Sequence, residues 1–363
     1  MDFSFDASDR PQDETTKIIE NINRLEIGYI PENIVHREQQ VQELRDHFFQ
    51  PIYVNDISQG ALLIGPPGSG KTATAKWVKD RVDSSNDKDD VEITFVNCEN
   101  RTSERDVYKS IMSQLGISFD RGSANDKNLE KLLAEVNGDT EGSQPTHLVV
   151  ILDELDALNK KSYINDVLYS LTDPAGVYDQ AGFTANISVM AISNDQKVTK
   201  YFNSSVDSRF QRKEINFYPY DADEIIDILS KRQEKAFSSE LLGKKALALL
   251  AKNVKRKFES DVRYGINVLK SIPNQLNQRK GVELTKENQC ELVQDAVDEV
   301  QRSQIEQAIR ENDEHFLLLL SALVQQLEDE EETKRKDINK AYRQACEYAA
   351  LDKDGGGDAL FCR

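Results

Sequence analysis

One stretch decides the fold of this chain: Ala61-Leu-Leu-Ile-Gly-Pro-Pro-Gly-Ser-Gly-Lys71-Thr72-Ala73. Its apolar start is typical of a buried strand, and Gly65–Thr72 matches G-x-x-x-x-G-K-[ST] at every fixed position. Glycines let backbone N–H groups turn inward around phosphate oxygens, and a helix that begins near Lys71 adds the positive end of its dipole. A chance glycine-rich turn is the alternative, but it would not bring both a strand and a helix with it. The stretch predicts a nucleotide site formed by Gly65, Pro66, Pro67, Gly68, Ser69, Gly70, Lys71, Thr72 and Ala73.

A second element must hold the metal ion of such a site and activate water. The apolar run Leu148–Leu152 ends in Asp153 and Glu154, and these carboxylates face the glycine-rich loop if the two strands neighbour each other. Lys71 is expected to reach the β- and γ-phosphates. Thr72 and Asp153 are expected to bind Mg²⁺, and Glu154 is expected to be the catalytic base. The predicted cofactors are ATP and Mg²⁺.

Two further polar residues follow predicted strands. Asn194 comes after Ile187–Ile192, where its side chain could bond the γ-phosphate or the attacking water; a turn asparagine beside Asp195 is the alternative. Asp156 is predicted to be a helix cap and not a catalytic residue.

Apolar runs alternate with helix-like stretches from about residue 60 to residue 220, which indicates an α/β fold with a parallel sheet. The predicted strands are Ala61–Ile64, Val91–Asn97, His147–Leu152, Ile187–Ile192 and Glu214–Phe217. After Pro219 the pattern becomes helical, and Asp221 or Asp223 can cap a helix over Ile225–Arg232.

Composition narrows the class of protein. The 363 residues are 38% hydrophobic and 30% charged, which is typical of globular domains. No apolar run is long enough to span a membrane, and the acidic start does not resemble a signal peptide, so we expect a cytoplasmic protein. The four cysteines show no metal-ligand spacing, and we predict no metal site made from side chains alone.

The formal charge of −18 leaves two interpretations open. In a halophilic cytoplasm, acidic surfaces keep proteins soluble, and salt screens their repulsion from DNA. Otherwise the charge argues against strong DNA binding, because phosphate contacts usually need a basic surface.

Several segments, in their order along the chain, resemble those of the archaeal replication initiators. These initiators are a family of AAA+ ATPases related to eukaryotic origin-recognition and cell-division-control proteins. The segments are Tyr29–Glu38, Gly65–Thr72, Ile151–Asp156, Ala191–Asp195, Tyr218–Ala222 and Ser260–Tyr264. The most specific are Val35-His-Arg-Glu38 and Ile192-Ser-Asn-Asp195. The resemblance implies an AAA+ P-loop core with a parallel five-stranded sheet, a small helical lid domain and a C-terminal winged-helix-like piece.

The resemblance also assigns roles. It implies that Asn194 is sensor 1 and that Arg263 is the sensor 2 arginine, which reaches the γ-phosphate from the lid. Tyr29–Glu38 is expected to line the adenine pocket. Where the family carries an arginine finger, this chain has Ser205, and Arg209 and Arg212 are nearby candidates.

The implied domains are an acidic N-terminus (1–20), the ATPase core (21–218), the lid (219–284) and a truncated winged-helix region with a tail (285–363). Helices are expected around His315–Leu327 and Ile338–Tyr348, and no sequence remains after them for a recognition helix or wing. Sequence-specific DNA binding through that domain is therefore in doubt.

Three functions follow from these observations. The first is an ATP-dependent replication initiator, which binds origin DNA, helps load the replicative helicase and partners other initiator subunits. The second is an ATP-binding regulator that partners other initiators without binding DNA itself. The third is a different AAA+ machine, such as a clamp-loader-like subunit or a plasmid-maintenance ATPase.

Overall fold

A computed structural model gives the fold of the chain. It describes residues 19–84, 91–99, 101, 103–140, 146–158, 161–173, 186–278, 284–311, 317 and 319–321. None of the helices in these ranges is both long enough and apolar enough to cross a membrane.

A five-stranded sheet lies at the centre of the core, and all of its strand pairs are parallel. The strands are β1 (Gly60–Ile64), β2 (Val91–Asn97), β3 (His147–Asp153), β4 (Ile187–Ser193) and β5 (Arg212–Asn216). All five lie where the sequence predicts them, with ends that differ by at most two residues. The predicted parallel α/β fold is therefore confirmed.

The strand order is β2-β3-β4-β1-β5, so β4 lies between β1 and β3. The condition that β1 and β3 neighbour each other is therefore not met. Both strands nevertheless end at the same edge, because parallel strands share their carboxyl ends. That shared edge lets the loop after β1 meet the carboxylates after β3.

Alternate residues of the buried strands pack on opposite faces of the sheet, as the strand period of two requires. Leu62, Val150 and Leu152 join one buried apolar cluster. Leu63 and Ile151 join the other, on the opposite face. Two apolar layers therefore fix the sheet on both sides.

Seven helices of the described core surround this sheet. They are α1 (Glu38–Leu44), α2 (Gln50–Asn55), α3 (Lys71–Ser84), α4 (Glu104–Gln114), α5 (Asn125–Val136), α6 (Lys161–Thr172) and α7 (Ser204–Arg209). A π-helical turn, Arg45–Phe49, joins α1 to α2.

The region after residue 219 is helical, as predicted. Its helices are α8 (Ala222–Ala236), α9 (Lys244–Lys257), α10 (Val262–Gln278) and α11 (Gln289–Glu311). Asp221 caps α8: its side chain accepts from the Glu224 backbone N–H, while the Glu224 side chain accepts from that of Asp221. Of the two predicted caps, Asp221 is the one used.

The chain divides into two compact units, residues 1–293 and 294–363. The proposed boundaries at residues 20, 218 and 284 stay predictions. The helices expected around His315–Leu327 and Ile338–Tyr348 lie outside the described residues, apart from Leu317 and residues 319–321.

Candidate nucleotide site

The loop between β1 and α3 requires its glycines. Gly68 and Gly70 have φ angles of +68° and +90°, in the left-handed region that glycine favours. A Cβ at Gly65 would lie 2.1 Å from the carbonyl oxygen of Phe217. The loop therefore owes its shape to residues that no larger side chain could replace without distortion.

Lys71 is the first residue of α3, and its ammonium is buried inside the loop. Nζ donates to the carbonyl oxygens of Gly65 at 2.7 Å and Pro66 at 2.8 Å, and to Asn194 Oδ1 at 2.9 Å. Burial lowers the pKa of Lys71 to about 8, and the negative charges of Asp153 and Asp156 partly oppose that shift. The structure thus brings together the predicted phosphate-binding lysine and the predicted sensor 1 asparagine.

Thr72 and Asp153 also meet, with the Thr72 hydroxyl donating to Asp153 Oδ1 at 3.0 Å. Burial raises the pKa of Asp153 above its ordinary value. A hydroxyl and a carboxylate are hard oxygen donors that fit Mg²⁺, which takes few protein ligands and keeps several waters. Among the described residues there is no group of three acidic, histidine or cysteine side chains that could hold a metal by itself.

Glu154 follows Asp153 in a left-handed conformation with φ +55°, an uncommon backbone geometry for a non-glycine residue that often marks a functional position. Asn97 Nδ2 donates to Glu154 Oε2 at 3.3 Å. Burial, and then the negative charges of Glu99 and Asp153, raise the pKa of Glu154. Asn97 was not predicted as a site residue, although a polar residue at the end of β2 was a usable signal.

Asp156 is not a helix cap, so that prediction is wrong. It lies inside the short 3₁₀-helix Leu155–Ala157, and its Oδ1 accepts a hydrogen bond from the backbone N–H of Asn194 at 3.0 Å. The bond ties the turn after β3 to the turn after β4. Asp156 therefore positions Asn194 beside Lys71.

Arg37, in the segment upstream of the loop, is a further residue whose role the sequence did not show. It is only 4% exposed, and its guanidinium donates to the carbonyl oxygens of Ser69 at 2.9 Å, His36 at 2.9 Å and Tyr218 at 2.7 Å. It also lies 3.8 Å from the centre of the Tyr220 ring. Arg37 therefore ties the phosphate loop to the chain that leaves β5.

The lid reaches the same loop through Asp261 and Arg263. A Cβ on Gly68 would lie 2.0 Å from Asp261 Oδ1, so this carboxylate packs directly on the loop backbone. Arg263 Nε donates to both oxygens of Asp261, at 2.9 and 3.0 Å, and Nη2 donates to Oδ2 at 2.6 Å. The predicted sensor 2 arginine thus lies at the site, held by a carboxylate of its own helix start.

An apolar cavity of about 320 Å³ opens beside the loop. Tyr29 and Val35 line it from the upstream segment, Ala73 from α3, and Val262 and Ile266 from the lid. Its composition fits a planar base, and its upstream wall comes from the segment expected to line the adenine pocket. That assignment remains a prediction.

The two candidate finger arginines are both held by carboxylates of their own chain. Arg209 contacts Asp173 and is 41% exposed, whereas Arg212 Nη1 lies 3.0 Å from Asp207 Oδ1 and is largely covered. Ser205 is exposed on α7. The assignment of Arg209 or Arg212 as an arginine finger remains a prediction.

The chain is similar in sequence to known proteins. The family model "AAA domain" matches residues 58–188. The "ORC1-type DNA replication protein" of Thermococcus onnurineus is 28% identical over 344 residues, which cover 93% of this chain and 79% of that protein. The "ORC1-type DNA replication protein 8" of Haloarcula marismortui is 28% identical over 272 residues, 73% of this chain and 60% of that protein.

Solved structures share the fold. The Aeropyrum pernix ORC1 protein in complex with DNA gives a TM-score of 0.74 at 23% identity, over 93% of this chain and 84% of that one. Cdc6p from Pyrobaculum aerophilum gives 0.65 at 21% identity, over 92% and 86%. The AAA+ fold and the predicted resemblance are confirmed. Residues 58–188 match the AAA domain model, and most of the chain is similar in sequence to ORC1-type DNA replication proteins.

Proposed function

We propose that this chain is an ATP-dependent DNA replication initiator that binds origin DNA and helps load the replicative helicase, with ATP as its conformational switch. The names of its relatives and the shared fold with an initiator bound to DNA support the role. One observation carries the switch: the core and the lid meet on the same phosphate loop, at Gly68 and Asp261.

Nucleotide binding has to rearrange that contact. Lys71 exchanges the Gly65 and Pro66 carbonyls for phosphate oxygens, which are stronger acceptors for an ammonium. Arg263 exchanges the Asp261 carboxylate for the γ-phosphate, which ADP lacks. Arg263 belongs to α10 and Lys71 to α3, so the exchange changes the contact between lid and core. The arrangement of lid and core therefore depends on which nucleotide is bound.

We expect hydrolysis to be slow. Thr72 and Asp153 would hold Mg²⁺, which supplies charge stabilisation at the transferring phosphoryl group. Glu154 would orient the attacking water, and Asn97 Nδ2 donates to its Oε2. Arg209 and Arg212 are engaged by carboxylates of their own chain, and a finger contributes roughly 10³–10⁵ in rate where one acts.

Equilibrium titration with a fluorescent ATP analogue tests the nucleotide half of the proposal. Lys71→Ala is expected to weaken binding by at least about tenfold, the loss of one charge-assisted contact. Lys79→Ala is the matched control on the same helix, because Lys79 forms an ion pair with Asp83. Equal affinities of the two variants would overturn the assignment of Lys71.

The switch has its own test, which compares ATP with ADP. Asp261→Asn removes the negative charge that holds Arg263, so we expect ATP to bind about three- to tenfold tighter while ADP binding changes less. Asp139→Asn, which removes the same charge from an exposed position, should change neither. A shift of ATP and ADP by the same factor would contradict the role of Arg263 as a γ-phosphate sensor.

The formal charge of −18 favours a second function, an ATP-binding regulator that partners other initiators without binding DNA. If the chain has this function, it binds ATP but does not bind duplex DNA in any nucleotide state. Pull-down of initiator subunits or helicase by the purified chain, together with that failure, would establish this alternative.

A further inference from the structure

The lid helix α9 is the place where the charge of this chain departs most from its average. Residues 244–257 contain five lysines and one arginine and no acidic residue, in a chain that has 64 acidic and 46 basic residues. At that ratio a solvated helix face would carry acidic groups more often than basic ones. The basic segment therefore needs its own explanation.

Five of the six cations share one face of the helix. A repeat of 3.6 residues places Lys244, Lys245, Lys252, Lys255 and Arg256 within about 120° of its circumference. All five are exposed. Within the described part of the chain, none of the five forms an ion pair with a carboxylate.

The opposite face anchors the helix. Ala246, Leu247, Leu250, Ala251 and Val254 are all at most 2% exposed. The contacts of α9 with α8 and α10 hold it within the lid. The cations therefore project from a fixed support about 20 Å long.

Helix stability does not account for the pattern. Basic groups in the last turn favour the helix dipole, but Lys244 and Lys245 lie in the first turn, where cations oppose it. The first turn has no acidic residue, and Gly243 provides no side-chain cap. A local arrangement that costs stability is expected where a surface serves a function.

We propose that this face of α9, Lys244, Lys245, Lys252, Lys255 and Arg256, binds the phosphate backbone of duplex DNA. This inference rests on the proposed function in one respect only, namely that the chain acts on DNA. A length of about 20 Å spans the phosphates of about six base pairs, at 3.4 Å for each pair along a strand. Contacts of lysine to phosphate fix position without selecting sequence.

The same cations could instead attract the acidic surface of a second copy of this chain. Protein interfaces, however, are depleted of lysine and built around apolar or aromatic anchors. Among the described residues, the large exposed apolar side chains are Ile27, Val54, Ile57, Tyr218, Ile305 and Leu317, and none of them lies on α9. The face therefore fits a polyanion better than a protein.

The test uses the full chain and a labelled 20-base-pair duplex of arbitrary sequence, titrated by fluorescence anisotropy from 50 to 200 mM salt. One variant replaces Lys244, Lys245, Lys252 and Lys255 by glutamine, which keeps helix propensity. The control replaces four exposed lysines on other elements by glutamine, Lys109, Lys127, Lys200 and Lys286. Both variants lose the same charge, and circular dichroism checks that both fold.

We expect the α9 variant to bind at least about tenfold more weakly at 50 mM salt, because each lost phosphate contact removes counterion release. The slope of log affinity against log salt should fall by about 0.9 for each lysine that contacts a phosphate. The control should keep most of both quantities.

Equal losses in the two variants would overturn the assignment of α9 and leave the initiator function intact. Failure of the wild type to bind duplex at any salt would overturn both. Self-association of the wild type at 50 mM salt that disappears in the α9 variant, with duplex binding unchanged, would assign the face to a second copy.

Discussion

Replacing Arg37 by alanine should destabilise the fold far more than the loss of an ordinary surface arginine. The guanidinium makes three hydrogen bonds to backbone carbonyls, at 2.7 to 2.9 Å, and stacks on Tyr220. Hydrogen bonds to a charged group contribute about 1.5–3 kcal/mol each, although carbonyls near solvent recover part of this from water. Because the Ser69 carbonyl loses a buried partner, we expect the free energy of unfolding to fall by about 3–5 kcal/mol.

The assay is urea unfolding monitored by circular dichroism, extrapolated to water. Arg81→Ala is the control, because Arg81 also donates to a carbonyl, that of Glu32, and lies 5.0 Å from the centre of an aromatic ring, that of Trp77, but is exposed. It should cost less than about 1 kcal/mol. Arg37→Lys should recover less than half of the loss, because an ammonium cannot reproduce the planar fork.

A result in which Arg37→Ala and Arg81→Ala destabilise equally would refute this reasoning. It would mean that the Ser69 and Tyr218 carbonyls find water once the guanidinium is gone. The loop between β1 and α3 would then hold its shape through its glycines alone.

Three further predictions concern the phosphate site. Since the pKa of Lys71 is lowered to about 8, and only the protonated form pairs with phosphate, ATP affinity measured by calorimetry should be flat below pH 7 and fall about tenfold by pH 9. Glu154 acts as a base only when ionised, and its pKa is raised, so the hydrolysis rate falls as the pH falls. Glu99→Gln should move this fall in rate to lower pH, and Glu92→Gln should leave it unchanged. Gly68→Ala should lower the midpoint of thermal unfolding and weaken ATP binding, because the φ of Gly68 is +68° and the new Cβ would meet the Asp261 carboxylate. An alanine variant that matches the wild type in unfolding midpoint and in ATP affinity would show that the lid does not pack on the loop.

The elements of the fold were predictable because they depend on local pattern. Strand-like runs with apolar residues located the five strands, and the glycine spacing of Gly65–Thr72 located the phosphate loop. The bounds of β5 were predicted least accurately, because Arg212–Asn216 buries only one of its five side chains deeply. A strand with so little apolar periodicity gives a weak signal.

The contacts that Arg37 and Asp156 make around the site were not predictable, because they join residues far apart in the sequence. Arg37 lies 32 positions before Ser69 and 181 before Tyr218, and no spacing rule links them. The position of β4 between β1 and β3 likewise follows from chain crossovers and not from local pattern. Asp156 resembled a cap because it precedes a helical stretch, but its partner, Asn194, is 38 positions later.

The most direct test of the central claim is binding of the purified chain to a duplex that carries the origin repeats of its own replicon, at high salt, with ATP, with ADP and without nucleotide. We predict specific binding that changes between the ATP and ADP states and loses its nucleotide dependence in Lys71→Ala. Tight ATP binding with no duplex binding in any state would contradict it and establish the regulator instead.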